Sequence, residues 1–456
     1  MQPVMFCRSA LARCAMAAGV LAALAGCGGG GDDKPEVAAP ASCAVADQNV
    51  WLRGYMNDWY FWYGASPKPD PSKYASVADY FDALLYKGTL SPFPEDRWSF
   101  MESAADHDLF FGEGRTLGYG LFVAGLEILD TPTQPLRVRF IEPSSPAAAA
   151  GLQRGDQILS VNGRSASDMA ADNDFAVLTP AAVGDRLALQ VRNGGTERTV
   201  TLTAAVYDLT PVTGTRVIES GGRRTGYLVL KEFVDQALPG LETAFAGFKA
   251  NAVDDLVIDL RYNGGGLVST AQALASYIGG MPADNQVFAS LLYNDRHQDS
   301  NATFRFNQRS SSLGVSRVYV LAGPRTCSAS EAVVNGLRPH VDVVLIGGTS
   351  CGKPVGFLPI SQCGTTFNVV NFETVNSRNE GRYFDGIAPT CAVADDLDHP
   401  LGSTSEALLA AAQYHARNGS CPPAAASVAH ALRAPAGERA RRPSTEPRDR
   451  GGMVPR

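Results

Sequence analysis

The chain has 456 residues, 45% of them hydrophobic, and a formal net charge of −7 at pH 7. That length exceeds one ordinary domain, and two or three domains with sizeable cores are expected. The acidic balance offers no sign of nucleic-acid binding.

In chain order, Arg8 and Arg13 precede the apolar run from Ala15 to Ala25, which is too short to span a bilayer and has the layout of an export signal. The run ends in Leu24-Ala25-Gly26-Cys27, which resembles the lipobox of bacterial lipoproteins. The resemblance implies removal of residues 1–26 and lipidation of Cys27. Gly28, in place of aspartate, implies an anchor in the outer membrane of the cell envelope, facing the periplasm. A plain secretory signal with an incidental cysteine is the alternative. Residues 27–45 read as a flexible tether. Six cysteines then remain: Cys43, Cys327, Cys351, Cys363, Cys391 and Cys421. An even number in an exported chain suggests disulfides, in pairings the sequence leaves open. No C-x-x-C spacing supports zinc, and no cofactor is implied.

Residues 46–110 read as a small helical domain. Trp51, Tyr55, Trp59 and Trp62 recur at helical spacing, and a second helix is expected over Val77 to Tyr86. An aromatic stripe of this kind is packing material more often than a ligand site. Residues 118–205 begin Gly118-Tyr119-Gly120-Leu121-Phe122-Val123. They continue through Gly155-Asp156-Gln157-Ile158-Leu159-Ser160-Val161-Asn162-Gly163 and end in a hairpin around Asn193-Gly194-Gly195. This pattern resembles a PDZ domain. The resemblance implies that Tyr119, Gly120 and Leu121 form a loop that binds a peptide's terminal carboxylate, while the peptide adds as a strand. A PDZ fold used only as a spacer is the bland alternative.

Residues 211–421 form the third unit. Strands are expected at 225–230, 256–261, 317–322 and 341–347, and helices over 238–248, after the Tyr262-Asn263-Gly264-Gly265-Gly266 turn, and over 405–417. A strand, a glycine-rich turn and a helix present backbone N–H groups to an anion. No Lys-Ser/Thr pair follows the glycines, which disfavours a nucleotide P-loop. Later come Ser328-Ala329-Ser330-Glu331 and Cys351-Gly352-Lys353. Serine needs a neighbouring base. Lysine can serve only if burial brings its pKa to roughly 7–8. Ser328 at a helix N-terminus would also face N–H groups able to hold an oxyanion. The same four residues match a capping box, which needs no chemistry at all.

Together, Asp259-Leu260-Arg261, the Asn263-to-Gly266 turn, Ser328-Ala329-Ser330-Glu331 and Gly352-Lys353 resemble the C-terminal processing (tail-specific) peptidases, which are Ser-Lys proteases with a PDZ domain. The resemblance covers roughly residues 50–420. It implies Ser328 as nucleophile, Lys353 as general base, and the N–H groups of Ala329 and Gly265 as oxyanion hole. Phe357 stands where the family often has a glutamine, and Pro354 follows the lysine in place of glycine. Ser330, His297, His340 and His399 are weaker catalytic candidates, and Glu331 reads as a structural cap. The fold expected is an α+β multidomain chain: a helical N-terminal domain, a PDZ-like domain, and an α/β crotonase-like (ββα) serine peptidase core. A disordered basic tail over 422–456 is expected to follow. The function implied is a membrane-tethered serine endopeptidase acting on proteins or peptides with exposed C-termini. A non-catalytic, peptide-binding lipoprotein scaffold is the rival.

Overall fold

A computed structural model describes residues 38–126, 132–423 and 453–455. The expected signal peptide and Cys27 lie outside these residues. Among the described residues no helix is long and apolar enough to cross a membrane.

The centre is a six-stranded sheet in the order Val212–Ser220, Arg223–Leu230, Asp255–Asp259, Arg317–Ala322, Asp342–Gly347, Cys391–Ala392. The first pair is antiparallel and the rest are parallel. The central strands are continuous apolar runs because both sheet faces are covered. Helices Ala237–Ala250, Val268–Ala283 and Ala329–Leu337 pack on one face, and helix Ala407–Asn418 packs on the other. Strands 255–259, 317–322 and 342–347 are parallel neighbours, so the three loops leaving their C-terminal ends lie side by side. Ligand sites of open α/β sheets form at that edge.

Arg261, fully buried, fastens the rear helix to this edge. Its guanidinium pairs with Asp259 within its own segment and with both oxygens of Glu406 at 2.7 and 2.9 Å. Glu406 in turn caps the 407–418 helix by accepting from the Leu408 and Leu409 N–H groups.

The PDZ region is a sheet in the order Leu121–Ala124, Arg137–Ile141, Gln157–Val161, Arg186–Asn193, Thr196–Thr203. Strand 121–124 is an edge. The Asn193-Gly194-Gly195 turn closes the expected hairpin, with Asn193 opposite Thr196.

The N-terminal region has helices Val45–Trp59 and Val77–Leu84. The first stops before Trp62: Tyr60 turns to extended backbone, and the Phe61 N–H donates to the Val370 carbonyl at 2.8 Å. The region has no core of its own. Trp51, Tyr55, Trp62, Tyr80 and Phe81 pack in one cluster with Val355, Phe357, Phe367 and Val370 of strands downstream of residue 287. Strand Phe100–Ser103 even joins the sheet of strand Thr365–Asn368. The cysteines pair as Cys43–Cys363, Cys327–Cys351 and Cys391–Cys421, and the first ties the N-terminal region to that same sheet.

One sequence expectation is corrected at the far end. The tail was expected to be disordered from residue 422 onward, yet Met453 and Val454 are buried and paired with Gly356 and Leu267. Apolar side chains and free strand edges supply what the basic composition of the tail does not advertise.

The shared core makes a direct prediction. All four tryptophans (51, 59, 62 and 98) belong to the N-terminal region, whereas Phe367 is fully buried in strand Thr365–Asn368 against Trp51. Phe367→Ala should destabilise unfolding followed by tryptophan fluorescence by about 3–5 kcal/mol. An independent helical domain would leave that transition unmoved.

Candidate active site

Three loops meet at the C-terminal edge of the sheet. The first follows strand 255–259 and is shaped by Asn263, which is fully buried. Its Nδ2 donates to the Leu230 carbonyl and its Oδ1 accepts from the Gly265 N–H at 2.8 Å. Its carbonyl accepts from the Cys327 N–H and from the Ser330 hydroxyl, both at 3.0 Å. The glycine turn is thereby fastened to the second loop. Gly266 has φ +135°, and a Cβ there would lie 2.1 Å from the Phe233 carbonyl oxygen, so the close approach requires glycine.

The second loop leaves strand 317–322 and turns into helix 329–337 at Ser328. Ser328 has φ 58° and ψ −115°, a conformation that a residue with a Cβ adopts only under strain. Such a sharp strand-to-helix turn exposes a nucleophilic side chain at the top of a sheet. Ser328 Oγ is buried and makes no hydrogen bond to any described residue. The cap contact at this turn runs from the Ser328 N–H to the Glu331 carboxylate. Ser330, engaged with Asn263, is a structural residue.

The third loop carries Lys353. Its ammonium lies 4.0 Å from the centroid of the Phe357 ring, and the residue is 7% exposed. Burial pulls its pKa from the ordinary lysine value down to about 7, with Asp96 and Glu331 opposing that shift. Desolvation thus outweighs two nearby carboxylates. Phe357, at the position where a glutamine was looked for, supplies an apolar wall and a ring face for the amine.

Glu331 joins the second and third loops. Fully buried, its Oε2 accepts from the Ser328 N–H at 2.9 Å and the Lys353 N–H at 2.8 Å. Its Oε1 accepts from the Gly352 N–H at 2.8 Å and from the Ser350 hydroxyl. Burial pushes the carboxyl pKa up while these four hydrogen bonds hold it down. The Cys327–Cys351 disulfide joins the same two loops immediately before Ser328 and Gly352. Sequence reasoning found the cap but not the clamp, because the contacts to residues 350–353 span about twenty positions and carry no local signal.

The other expected site residues are distributed as follows. Ala329 opens helix 329–337 next to Ser328. The Gly265 N–H, expected as the second oxyanion donor, is taken up by Asn263 Oδ1. Tyr119, Gly120 and Leu121 lead into edge strand 121–124. The Tyr119 ring is buried in the PDZ core, and Gly120 (φ +75°) leaves no room for a Cβ beside Ser145. At Tyr119 and Gly120 that loop therefore offers its backbone rather than a side chain. Arg325, three residues before Ser328, donates to the Leu126 carbonyl at 2.9 Å, so the PDZ region touches the serine loop. The histidines lie elsewhere: His297 stacks on Trp59, His340 Nε2 is 3.2 Å from the Val287 carbonyl, and His399 pairs with Asp396.

The family profile described as Peptidase family S41 matches residues 224–393, that of the Peptidase S41 N-terminal domain matches 47–100, and that of the PDZ domain matches 113–192. The chain carries an S41 peptidase domain, an S41 N-terminal domain and a PDZ domain. Among its relatives, the carboxyl-terminal-processing protease of Synechocystis is 27% identical over 232 residues, covering 50% of this chain and 52% of that protein. The carboxy-terminal processing protease CtpB of Bacillus subtilis is 24% identical over 260 residues, covering 55% of this chain and 50% of the relative. The chain spans about half the length of the curated relatives it matches. A solved Bacteroides fragilis structure assigned to the S41 proteases aligns with a TM-score of 0.64 at 27% identity, covering 81% of this chain and 97% of that one. The photosystem II D1 C-terminal processing protease aligns with a TM-score of 0.51 at 17% identity, covering 77% and 94%, and shows the fold alone. The region matched by the S41 profile, 224–393, contains all three loops of the site.

Two stability predictions follow from the geometry. Glu331→Gln puts an amide NH₂ among four donors, leaving at least two without an acceptor, and should cost about 3 kcal/mol or more in urea unfolding. The buried lysine should show itself through pH. Its folded pKa of about 7 lies below the unfolded value, so the unfolded chain holds the extra proton between about pH 7 and 10. Stability of the parent relative to Lys353→Met should therefore rise with pH across that window, by about 1.4 kcal/mol per pH unit. A flat difference would mean a solvated amine.

Proposed function

We propose that the chain is a serine endopeptidase of the C-terminal processing type, with Ser328 as nucleophile and Lys353 as general base. The observation that carries this reading is a lysine whose burial brings its pKa to about 7, clamped through Glu331 to a serine held in a strained strand-to-helix turn. At that pKa a large fraction of the amine is neutral near pH 7 and can accept the serine proton. Ser328 Oγ attacks the scissile carbonyl, Lys353 Nζ takes its proton, and the protonated lysine returns a proton to the leaving amine. Water, deprotonated by the neutral lysine, then hydrolyses the acyl-enzyme. The Ala329 N–H at the helix start is one oxyanion donor. Gly265 becomes the second when Asn263 Oδ1 releases its N–H.

The substrates proposed are exported proteins or peptides with exposed C-termini. Support comes from the edge strand 121–124 of the PDZ region, which no described residue pairs on its outer side, and from the loop of Tyr119, Gly120 and Leu121 before it. A peptide end can add to that edge as a strand, with its carboxylate at the backbone N–H groups of the loop. The placement proposed is the periplasmic face of the outer membrane, through lipid on Cys27. The lipobox-like Leu24-Ala25-Gly26-Cys27 and six paired cysteines support it.

Cleavage of an unfolded protein by the chain, compared with Ser328→Ala and Lys353→Ala, tests the dyad. Each substitution should lower kcat by about a thousandfold or more while the chain stays folded by circular dichroism. In the parent, kcat/KM should fall about tenfold per pH unit below pH 7, as the lysine becomes protonated. Full activity in Lys353→Ala would remove the lysine from the mechanism.

A further inference from the structure

Beyond Pro423 the described chain resumes only at Met453-Val454-Pro455, and this segment lies between two walls of the candidate site. Met453 pairs in parallel with Gly356, and Val454 in parallel with Leu267. The Phe357 N–H donates to the Met453 carbonyl at 2.8 Å, the Val454 N–H donates to the Gly266 carbonyl at 3.1 Å, and the Val268 N–H donates to the Val454 carbonyl at 2.8 Å. One wall is thus the continuation of the Asn263 glycine turn. The other is strand Val355–Phe357, which begins two residues after Lys353 and forms the edge of its sheet. The side chains are accommodated as closely as the backbone. Met453 is fully buried in the main core, and Val454 packs with Phe111, Val234 and Leu267.

A substrate crossing between the serine and lysine loops would need the same edges, because backbone pairing accepts an extended chain whatever its side chains. We propose that Met453-Val454-Pro455 occupies the substrate-strand channel as an intramolecular competitor, so that the chain holds its own segment there until an unfolded substrate displaces it. The ligand class of this channel is an extended peptide with two consecutive apolar residues, one facing the main core and the next facing Phe111 and Leu267. This rests on the peptidase reading for its functional meaning, though not for the binding itself. Reach presents no obstacle: the thirty residue steps from Pro423 to Met453 can span about 100 Å when extended. Being part of the same chain, the segment also competes at an effective concentration that free substrate must exceed.

The test uses the full chain with Met453→Asp and, separately, Val454→Asp. Each should lower KM for an unfolded protein about tenfold, with kcat within about twofold, as expected when a competing occupant is weakened. Unchanged KM in both would overturn the proposal. A binding arm is independent of turnover: a fluorescent peptide Gly-Gly-Met-Val-Pro-Arg, copied from residues 451–456, is titrated into Ser328→Ala with and without Met453→Asp. Affinity should be about tenfold higher in the double variant; equal affinities would overturn the proposal. If no variant turns over substrate while this arm holds, the peptidase reading fails and the channel assignment stands. Because Met453 is a core residue, hydrogen exchange of the unsubstituted chain supplies a control without mutation. The Val454 amide should be protected, and should exchange about tenfold faster with saturating unfolded competitor. An unprotected Val454 amide would overturn the proposal.

Discussion

The site depends on one buried carboxylate. Glu331 stands in the first turn of helix 329–337, where the helix dipole and free N–H groups favour an anion. A capping glutamate ordinarily spends both oxygens on its own helix end or on water. Here one oxygen bridges the Ser328 and Lys353 N–H groups, and the other takes Gly352 and Ser350. Three backbone donors and a hydroxyl offset the desolvation of the charge, which a single cap would not do. The register of the serine turn against the lysine loop is set by a residue that need not touch substrate.

The electrostatics around Lys353 follow from that arrangement. Carboxylates near an amine stabilise its charged form, and both Asp96 and Glu331 act in that sense. Each is already committed. Asp96 accepts from the Tyr60 hydroxyl, the Trp98 and Ser99 N–H groups and the Ser99 hydroxyl, so no oxygen is left to form a close pair with the amine. The lysine is left against the Phe357 ring, and burial decides its protonation. The N-terminal aromatic region takes part in this. Phe357 and Val355 belong to the cluster built by Trp51, Tyr55 and Trp62, so the apolar wall beside the Lys353 amine is completed by residues about 300 positions upstream.

Much of this was legible in the sequence where the signal is local. The strands at 225–230 and 317–322 and the helix over 238–248 are periodic or continuously apolar over their whole length, and the structure has them within a few residues. The hairpin at Asn193-Gly194-Gly195 declares itself by turn chemistry alone. What was not legible is long-range. Trp62 fits the helical period of Trp51, Tyr55 and Trp59, but the sheet captures the chain at Phe61 before the period can continue. Asn263 reads as one residue of a glycine-rich turn, yet it holds five partners from three segments. Gly265 was assigned an outward N–H, and the Asn263 side chain takes it. Met453 and Val454 lie in a stretch whose arginines and prolines predict disorder, and two apolar residues are too short a run to overrule that composition.

The segment at 453–455 covers two backbone edges at the site. An unpaired strand edge is a template for any extended chain, and proteins cover such edges or blunt them. Strand 355–357 and the backbone at Gly266–Val268 are covered rather than blunted, by Met453 and Val454. Gly356 has no side chain to discourage approach, and a Cβ at that position would lie 2.6 Å from the Met453 carbonyl oxygen. Covering is the remaining solution, and a cover drawn from the same chain has the chemistry of the ligand it stands in for. Met453 and Val454 bury apolar side chains in the channel while their backbones satisfy its donors and acceptors. Under the proposed function, a longer substrate strand anchored also at the PDZ edge would outcompete a two-residue cover of this kind.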